Sequence, residues 1–469
     1  MGRNATIHVS NETGYILSYV SANITHGKFN EDPPATIEVG KIGTFKVGNR
    51  TGAKIGPKGS VTYKLSLTSE IMVDLTVYWD HPFSHTSSSY TLGSWPDWFS
   101  SYFLSPSNPS GHDQEVTLHV RLNNYGFDPA SWMSNLKENV NIRNVLVPGS
   151  HDSGTYDIIP SSHLCLDADG QILVFARNVG IASQWTKAQS NSILEQLNSG
   201  IRYFDIRISD GYYSGLVIKD LSINNVVGSP VICHSVGVTP PASILDDVQE
   251  FIRSNPKEIL ILNFQHFYHK QADASDFYSD LIGHIKLKFG SKIIDRCTFK
   301  DSIENLTMKN LRQNDAQVLI LFDQDHRVEK TLSPSTGKSF KDVYGTIYSK
   351  ETSIWSAPDF LSNIWPNASD TEKLKTKLDD IISNNMPSAN QLFVLQGVVT
   401  PDTSTYLNAI DGGLPKSLEE LGNHVTPNVE SWVLNDWVEK DLNIIMCDWI
   451  SNSIITQLCY LINKKKGLF

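Results

Sequence analysis

Two patterns of apolar and polar positions divide the chain near residue 125. Before that point, short runs such as 5-ATIHVSN-11 and 72-MVDLTVYWD-80 alternate apolar and polar residues and are separated by Gly, Pro, Asn and Ser. Alternation with a period of two predicts strands that bury one face. Many short strands of this kind predict a β-sandwich, which we assign to residues 1–124.

Residues 125–469 follow a different pattern, in which apolar strand cores alternate with stretches of helical periodicity such as 244-ILDDVQEFIRSN-255. Strands that alternate with helices pair in parallel, and eight strand candidates in one domain predict a distorted (β/α)8 TIM-type barrel. The candidates are 144-NVLVPG-149, 203-YFDIRI-208, 230-PVICHS-235, 258-EILILNF-264, 317-QVLILFD-323, 346-TIYSK-350, 391-QLFVLQG-397 and 442-LNIIMCD-448.

Ionisable residues lie where four of these strand candidates end, which is where barrels of this type carry their active sites. They are His151, Asp152, Asp205, Arg207, His234 and Asp448. Two histidines suit phosphodiester transfer, because one takes the proton of an attacking hydroxyl and the other gives a proton to the leaving oxygen. An arginine stabilises charge on the phosphoryl oxygens. Each residue alone also fits a loop cap or a satisfied buried group, and their joint placement favours a site.

The motifs around these residues resemble the X domain of the phosphatidylinositol-specific phospholipase C family. The stretches PGSHDSGTYD, GIRYFDIRI, VICHS, KEILILNFQHFY and MCDWI occur in that order over roughly residues 130–460, similar to bacterial enzymes and to eukaryotic X-domain-containing proteins. The resemblance implies a distorted barrel that cleaves the glycerol-phosphate bond of phosphoinositides or of glycosyl-phosphatidylinositol. The inositol 2-hydroxyl would attack phosphorus, giving diacylglycerol and a cyclic inositol phosphate.

The resemblance also implies catalytic roles. His151 would be the general base, with Asp448 as its orienting partner. His234 would be the general acid, with Asp152 assisting it.

The remaining two motif residues bear on the question of a metal. Arg207 would bind the phosphate, and Asp205 would support the site. Calcium-dependent relatives place an acidic ligand near this position, whereas a fixed guanidinium repels a metal ion and supplies a positive charge in its place. We therefore expect catalysis without calcium, without another metal and without a cofactor.

The residues that would contact the lipid headgroup depart from the bacterial pattern. Gln265 and His266 follow the fourth strand candidate, where bacterial enzymes carry a basic residue, and Asp323 stands after the fifth. An ionised carboxylate only accepts hydrogen bonds, so Asp323 cannot pair with a phosphate. The residues that we expect to bind substrate are Gln265, His266, Tyr268 and Arg327, and the alternative is that they are ordinary polar loop residues.

The first domain carries a segment dense in aromatic residues, 78-YWDHPFSHTSSSYTLGSWPDWFSSYF-103. Trp and Tyr suit a bilayer interface, and we expect Trp95, Trp98 and Phe99 to form an exposed membrane-binding tip. The alternative is that such rings fill the sandwich core and the domain interface. The stretches NITHGKF, FKVGNRTGAKIGPKGSVTYKL and VDLTVYWDHPFSHTSSSYTLG resemble aegerolysins, which are small β-sandwich proteins, and this resemblance implies a lipid-binding domain.

Composition narrows the choice of partners and location. The net charge of −11 argues against nucleic acid and supplies no long-range attraction to anionic membranes. The five cysteines form no CxxC pair, and we interpret them as buried, reduced thiols. Because no secretory signal and no membrane-spanning segment is evident, we expect a cytoplasmic protein in peripheral contact with a membrane, or a secreted one if a leader has been removed.

Three functions follow from these observations. The first is a phospholipase C-type phosphodiesterase with phosphoinositide or glycosyl-phosphatidylinositol substrates. The second keeps His151, Arg207 and His234 but acts on a different lipid headgroup. The third is a lipid-binding or membrane-perturbing protein whose barrel is an inactive scaffold, and the presence of both histidines, Arg207 and Asp448 counts against it.

Overall fold

The structure is a computed structural model that divides into two compact units, Met1–Gly126 and Phe127–Phe469. It describes residues 3–84, 87–93, 99–104, 110–122, 127–158, 182–209, 224–226, 229–233, 242–268, 274–323, 340–385 and 387–469. In these ranges, no helix combines the length and the apolar character that crossing a membrane requires.

In the described residues, the strands of the first unit form two five-stranded sheets. One sheet has the order β3-β5-β1-β10-β9 and the other β4-β2-β6-β7-β8, and neighbours are antiparallel except for the parallel pair β1 and β10. Phe45 of the first sheet and Trp79 of the second contact each other with ring centroids 5.7 Å apart. The strands are β1 (Asn4–Glu12), β2 (Leu17–His26), β3 (Lys28–Glu31), β4 (Thr36–Ile37), β5 (Ile42–Gly48), β6 (Lys58–Ser66), β7 (Met72–Asp80), β8 (Ser89–Leu92), β9 (Phe99–Leu104) and β10 (Asp113–Leu122).

The second unit contains a parallel, nearly closed sheet of eight strands in the order β17-β16-β15-β12-β11-β20-β19-β18. Strand β14 pairs with the end of β12 outside this path, and β13 pairs with β14. The strands are β11 (Val147–Ser150), β12 (Tyr203–Ser209), β13 (Asn224–Val226), β14 (Ser229–Cys233), β15 (Leu260–Tyr268), β16 (Val318–Phe322), β17 (Trp355–Ser356), β18 (Leu361–Ile364), β19 (Leu392–Gly397) and β20 (Ile444–Cys447).

Helices connect most of these strands. They are α1 (Ile193–Asn198), α2 (Ala242–Ser254), α3 (Ala274–Phe289), α4 (Met308–Gln313), α5 (Phe340–Tyr348), α6 (Ala357–Phe360), α7 (Thr371–Asn384), α8 (Thr403–Ile410), α9 (Leu418–Asn435) and α10 (Ile455–Lys465). Helix α7 shows why they form where they do: Asp370 accepts a hydrogen bond from the Lys373 N–H at its start. Its buried residues Leu374, Leu378 and Ile381 recur at helical spacing and face the core.

The barrel strands are buried on both faces, which explains their continuous apolar runs. In β16, Leu319 and Leu321 belong to one buried cluster, while Ile320 and Phe322 belong to another. The two clusters hold the strands rigidly, so polar side chains at their carboxyl ends have fixed positions.

Two of the eight strands predicted for the barrel are not part of its eight-stranded sheet. The stretch PVICHS does contain a strand, β14, but this strand pairs with the end of β12 outside the path of eight. The other prediction, TIYSK, is wrong. Residues 346–348 of TIYSK are the last turn of α5, and Tyr344, Ile347 and Tyr348 have the spacing of a helix face that packs against the core. The sheet is completed instead by β17 and β18, which have two and four residues. Strands of this length carry too few positions for a period of two to be recognised.

Candidate active site

The turn that follows β11 places His151 and Asp152 at the carboxyl edge of the sheet. Backbone hydrogen bonds tie it to both neighbouring strands: the His151 N–H donates to the Cys447 carbonyl at 3.0 Å, and the Ser153 N–H donates to the Asp205 carbonyl at 2.9 Å. Asp152 adopts a left-handed backbone with φ of 47°, which Asp tolerates better than most residues. The turn therefore fixes both side chains relative to β12 and β20.

Asp448 contacts the Nδ1 side of the His151 ring. It follows β20, and its Oδ1 lies 2.8 Å from His151 Nδ1. The Thr426 hydroxyl of α9 donates to the Asp448 carbonyl at 2.7 Å. A Cβ on Gly422 would lie 2.6 Å from Trp449 Cδ1, so only glycine lets α9 approach this closely. With a proton on Nδ1 facing the carboxylate, Nε2 is left as the base.

Arg207 contacts the Nε2 side of the His151 ring and lies between two carboxylates. Its Nη2 is 3.2 Å from His151 Nε2 and 3.2 Å from Asp205 Oδ2, and its Nε is 2.8 Å from Asp152 Oδ1. The two acids are buried, and Arg207 is buried with them at 8 % exposed. This arrangement offers a fixed cation next to a histidine nitrogen.

The charges of this cluster shift the pKa values of its members. Burial disfavours the protonated ring of His151, but Asp152 and Asp448 outweigh it and raise the pKa of His151 to about 9. Burial raises the pKa of Asp152 to about 8, against the opposing effects of Arg207 and His151. Burial is also the largest effect on Asp205, yet Arg207, His151 and the hydrogen bond from Gln265 lower its pKa to about 2. The site thus stabilises the imidazolium that forms when His151 takes a proton.

The same acids are the candidate ligands for a metal. His151, Asp152 and Asp205 each offer one ligand atom, and these atoms lie within 4.8 Å of one another. Arg207 is already in contact with Asp152 and Asp205, so a cation would have to compete with the guanidinium for their oxygens. The expectation of metal-independent chemistry therefore needs a direct test.

No family model matches the chain. PI-PLC X domain-containing protein 2 of Mus musculus is 26 % identical over 334 residues, which cover 68 % of this chain and 84 % of that protein. PI-PLC X domain-containing protein 3 of the same species is 24 % identical and is covered to 95 %. The chain is similar in sequence to PI-PLC X domain-containing proteins.

Two further matches carry the name phospholipase C. The variant-surface-glycoprotein phospholipase C of Trypanosoma cruzi is 31 % identical over 158 residues, which cover 31 % of this chain and 38 % of that protein. The solved phosphatidylinositol-specific phospholipase C of Listeria monocytogenes aligns with a TM-score of 0.44 at 18 % identity, covering 72 % of this chain and 98 % of that one.

The structure brings four of the six predicted catalytic residues into contact with His151 or with one another, namely Asp152, Asp205, Arg207 and Asp448. His234 lies outside the described residues, and so do Arg327, Trp95 and Trp98. His266 and Tyr268 belong to strand β15, but their side chains lie outside the described part of the structure. Their roles stay predictions.

The structure places two of the predicted residues differently from the sequence analysis. Gln265, predicted to bind substrate, is buried and donates its side-chain amide to Asp205 Oδ1, so it supports the acid directly. Phe99, predicted to be in an exposed tip, is 4 % exposed. It pairs with Leu122 at the start of β9, where a large ring gains more by burial in the core than by exposure. The expectation that Phe99 is exposed is therefore wrong. The interpretation of the cysteines as buried holds for Cys447 and Cys459 but is wrong for Cys297, which is exposed.

Sequence reasoning missed Gln189. This buried side chain donates its amide to the carbonyls of His151 at 2.9 Å and Cys447 at 3.1 Å, and its oxygen accepts from the Ile450 N–H at 3.3 Å. It thereby joins the ends of β11 and β20, which carry His151 and Asp448. A lone Gln in a non-repetitive stretch gives no periodicity or motif, so nothing in the sequence marked it.

Replacing Asp448 by asparagine is expected to lower the pKa of His151 by about one unit or more, because the change removes a negative charge in contact with the ring. The titration of the His151 ring protons by NMR measures this directly. An unchanged His151 titration would contradict the assignment of Asp448 as the charge that holds this ring.

Proposed function

We propose that the second unit is a phospholipase C-type phosphodiesterase that cleaves the glycerol-phosphate bond of phosphoinositides or of glycosyl-phosphatidylinositol. The observation that carries the proposal is the position of the His151 ring between Asp448 and Arg207. This is a general base with an oriented tautomer, next to a cation that suits a phosphate. The similarity to PI-PLC X domain-containing proteins and to a protein named phospholipase C supports it.

The chemistry follows from these contacts. A phosphate that binds Arg207 would bring an adjacent inositol 2-hydroxyl within reach of His151 Nε2, since that nitrogen lies 3.2 Å from the guanidinium. His151 takes the hydroxyl proton while the oxygen attacks phosphorus, and the bond from phosphorus to the glycerol oxygen breaks. The predicted acid His234 gives the leaving oxygen its proton. The products are diacylglycerol and a cyclic inositol phosphate.

Purified protein is expected to convert phosphatidylinositol vesicles to cyclic inositol phosphate, with equal initial rates in excess chelator and in added calcium. The physical reason is that Arg207 already supplies positive charge to Asp152 and Asp205, and to a bound phosphate. Phosphorus NMR identifies the cyclic product by its chemical shift.

A large loss of activity in chelator would refute metal-independent catalysis but would not contradict the proposed phosphodiesterase activity. If phosphatidylinositol is not turned over, and vesicles with another hydroxyl-bearing headgroup are, the same residues act on a different lipid. The absence of turnover on all such vesicles would favour a lipid-binding protein with an inactive barrel.

A further inference from the structure

One buried glutamine contacts both of the turns that carry the candidate catalytic pair. Gln189 lies in the segment before α1, and its side-chain amide donates to the His151 carbonyl at 2.9 Å and to the Cys447 carbonyl at 3.1 Å. Its side-chain oxygen accepts from the Ile450 N–H at 3.3 Å. These backbone groups belong to the predicted base and to residues on either side of Asp448. Because hydrogen bonds weaken steeply with distance and angle, Gln189 fixes the spacing of the two turns.

The backbone beside Gln189 repeats this link. The Trp449 N–H donates to the Ala188 carbonyl at 2.8 Å. The N–H groups of Ala188 and Gln189 both donate to the Thr155 hydroxyl at 3.0 Å, and that hydroxyl donates to the Asp152 carbonyl at 2.8 Å. This two-residue segment is therefore bonded, through backbone and side chain, to the turn after β11 and to the turn after β20.

Both turns have the same unusual backbone directly after the candidate catalytic residue. Asp152 follows His151 with φ of 47°, and Trp449 follows Asp448 with φ of 48°. Residues other than glycine rarely adopt this left-handed conformation, and a bulky residue such as Trp does so only where the contacts around it hold it in place. Loss of the contacts from the segment of Gln189 would let either turn relax and would move the side chain that it carries.

The contact that depends on these turns is the one between the ring and its carboxylate. His151 Nδ1 and Asp448 Oδ1 are 2.8 Å apart, and a misplacement of about 1 Å in a catalytic group can lower a rate about 10²-fold. The hydrogen bonds of the Gln189 side chain go to backbone groups, so this residue can influence the chemistry only through the positions of His151 and Asp448.

We propose that Gln189 is a positioning residue that holds His151 at hydrogen-bond distance from Asp448 for the proton transfer. The inference deepens the proposed function and rests on it, because the pair needs this alignment only if His151 is the base. Arg207, which would bind the phosphate, is not among the hydrogen-bond partners of Gln189. The residue therefore governs the rate of the chemical step and not the binding of substrate.

The chain offers a matched control at the opposite edge of the sheet. Gln317 directly precedes β16, is buried, and donates its amide to the Asn255 carbonyl at 2.9 Å and to the Glu258 carbonyl at 3.1 Å. It has the burial and the two donated hydrogen bonds of Gln189, but it lies at the amino edge of the sheet. The same substitution at both positions separates the loss of buried hydrogen bonds from the loss of catalytic alignment.

The first test compares the two positions by kinetics. Gln189→Met keeps the length of the side chain and removes the amide, and it is expected to lower kcat for a soluble inositol phosphodiester about 30- to 100-fold with KM within about threefold. Gln317→Met is expected to leave kcat within about twofold, although denaturant unfolding should show a comparable loss of stability. Equal effects of the two changes on kcat would make Gln189 a merely structural residue and overturn the proposal.

A double-mutant cycle tests whether Gln189 acts through the contact between His151 and Asp448. In an Asp448→Ala background that contact is already absent, so Gln189→Met is expected to lower kcat further by less than about threefold. If the loss caused by Gln189→Met is as large in this background as in the wild type, the residue acts elsewhere and the proposal is wrong.

A spectroscopic signal that needs no substrate separates this inference from the proposed function. An imidazole N–H that donates to a carboxylate resonates far downfield in the proton NMR spectrum, and a signal that is lost in His151→Ala belongs to this ring. We expect it to move upfield or to broaden in Gln189→Met and to stay unchanged in Gln317→Met.

The signal and the turnover together distinguish the two possible failures. If the signal responds to Gln189→Met but the wild type turns over no phosphodiester, the proposed function fails and the positioning of the pair stands. If the wild type turns over substrate, and neither the signal nor kcat responds to Gln189→Met, the positioning role fails and the proposed function stands.

Gln189→Asn covers the case in which Gln189→Met folds poorly. Asparagine keeps the amide but is one methylene shorter, so it cannot reach both carbonyls from the same backbone position. We expect kcat to fall about tenfold in this variant and to stay within about twofold in Gln317→Asn. Equal kcat values for the two asparagine variants would contradict the proposal.

Discussion

Replacing His151 by alanine is expected to lower kcat/KM for phosphatidylinositol about 10³-fold, which is within the range for the loss of a general base. Asp448 orients the His151 ring and Arg207 contacts it. No described neighbour can accept the hydroxyl proton at the position of His151 Nε2. The measurement is the rate of cyclic product formation on vesicles. His424→Ala, an exposed histidine on α9, is the matched control and is expected to retain full activity within about twofold.

A substrate with a good leaving group distinguishes the residue that acts as general base from the residue that acts as general acid. A nitrophenyl ester of inositol phosphate leaves without needing a proton, so a variant that lacks the acid regains much of its rate on it, whereas a variant that lacks the base does not. We expect the loss in His151→Ala to persist on this substrate and the loss in His234→Ala to shrink. The opposite pattern would exchange the two predicted roles, and full activity of His151→Ala would refute the proposed mechanism.

The pH dependence of the wild type follows from the same contacts. The general base must be neutral to accept a proton, and Asp152 and Asp448 hold the pKa of His151 near 9 against the effect of burial. Activity governed by His151 therefore rises with pH toward that value. The raised pKa of His151 also makes the stability of the fold depend on pH. The protonated ring stabilises the fold fully below its ordinary pKa of about 6.5, and this contribution is lost as the pH rises through about 9.

The sequence predicted which polar residues meet at the carboxyl edge of the sheet, because the strands that precede them are buried on both faces. Continuous apolar runs such as those that end at Ser150 and Cys447 have clear ends, and the polar residues that follow stand out. Parallel pairing then brings His151, Arg207 and Asp448 to one edge without any further information. The contacts among them at hydrogen-bond distance are the consequence of this register.

Other elements could not be predicted, and each has its own physical reason. The two residues of β17 are too few to show periodicity, and the aromatic face of α5 gave TIYSK the composition of a strand. Gln189 acts through backbone carbonyls that lie far away in the sequence. The burial of Phe99 depends on how β9 pairs with β10, and an aromatic-rich segment does not say which of its rings turn inward.

Replacing Arg207 by leucine is expected to have the largest combined effect on activity and stability. The guanidinium is the cation beside His151, and its loss removes a charge-assisted contact to the phosphate, which we expect to lower kcat/KM by about 10² to 10³-fold. It also leaves Asp152 and Asp205 buried without their cation. Removal of one partner of a buried ion pair costs about 3–5 kcal/mol in the free energy of unfolding.

The stability effect of this change should depend on pH in a defined direction. In the wild type, Arg207 helps to hold the pKa of Asp205 near 2, below its ordinary value, so the ion pair contributes stability above about pH 4 that is lost as the pH falls through about 2. In the leucine variant, the Asp205 carboxyl keeps its proton more readily, so the variant is less destabilised in acid. The difference in unfolding midpoint between the two proteins is therefore expected to be larger at pH 7 than at pH 4.

Denaturant unfolding at the two pH values measures this difference, with Arg253→Leu as the matched control. Arg253 is exposed near the end of α2, and its removal is expected to change the free energy of unfolding by less than about 0.5 kcal/mol at either pH. A leucine variant that is as stable as the wild type at pH 7 would show that Asp152 and Asp205 do not need the guanidinium. In that case, protonation of the two acids or a bound cation would have to neutralise their negative charge. Such a result would contradict the proposal that Arg207 takes the place of a metal ion.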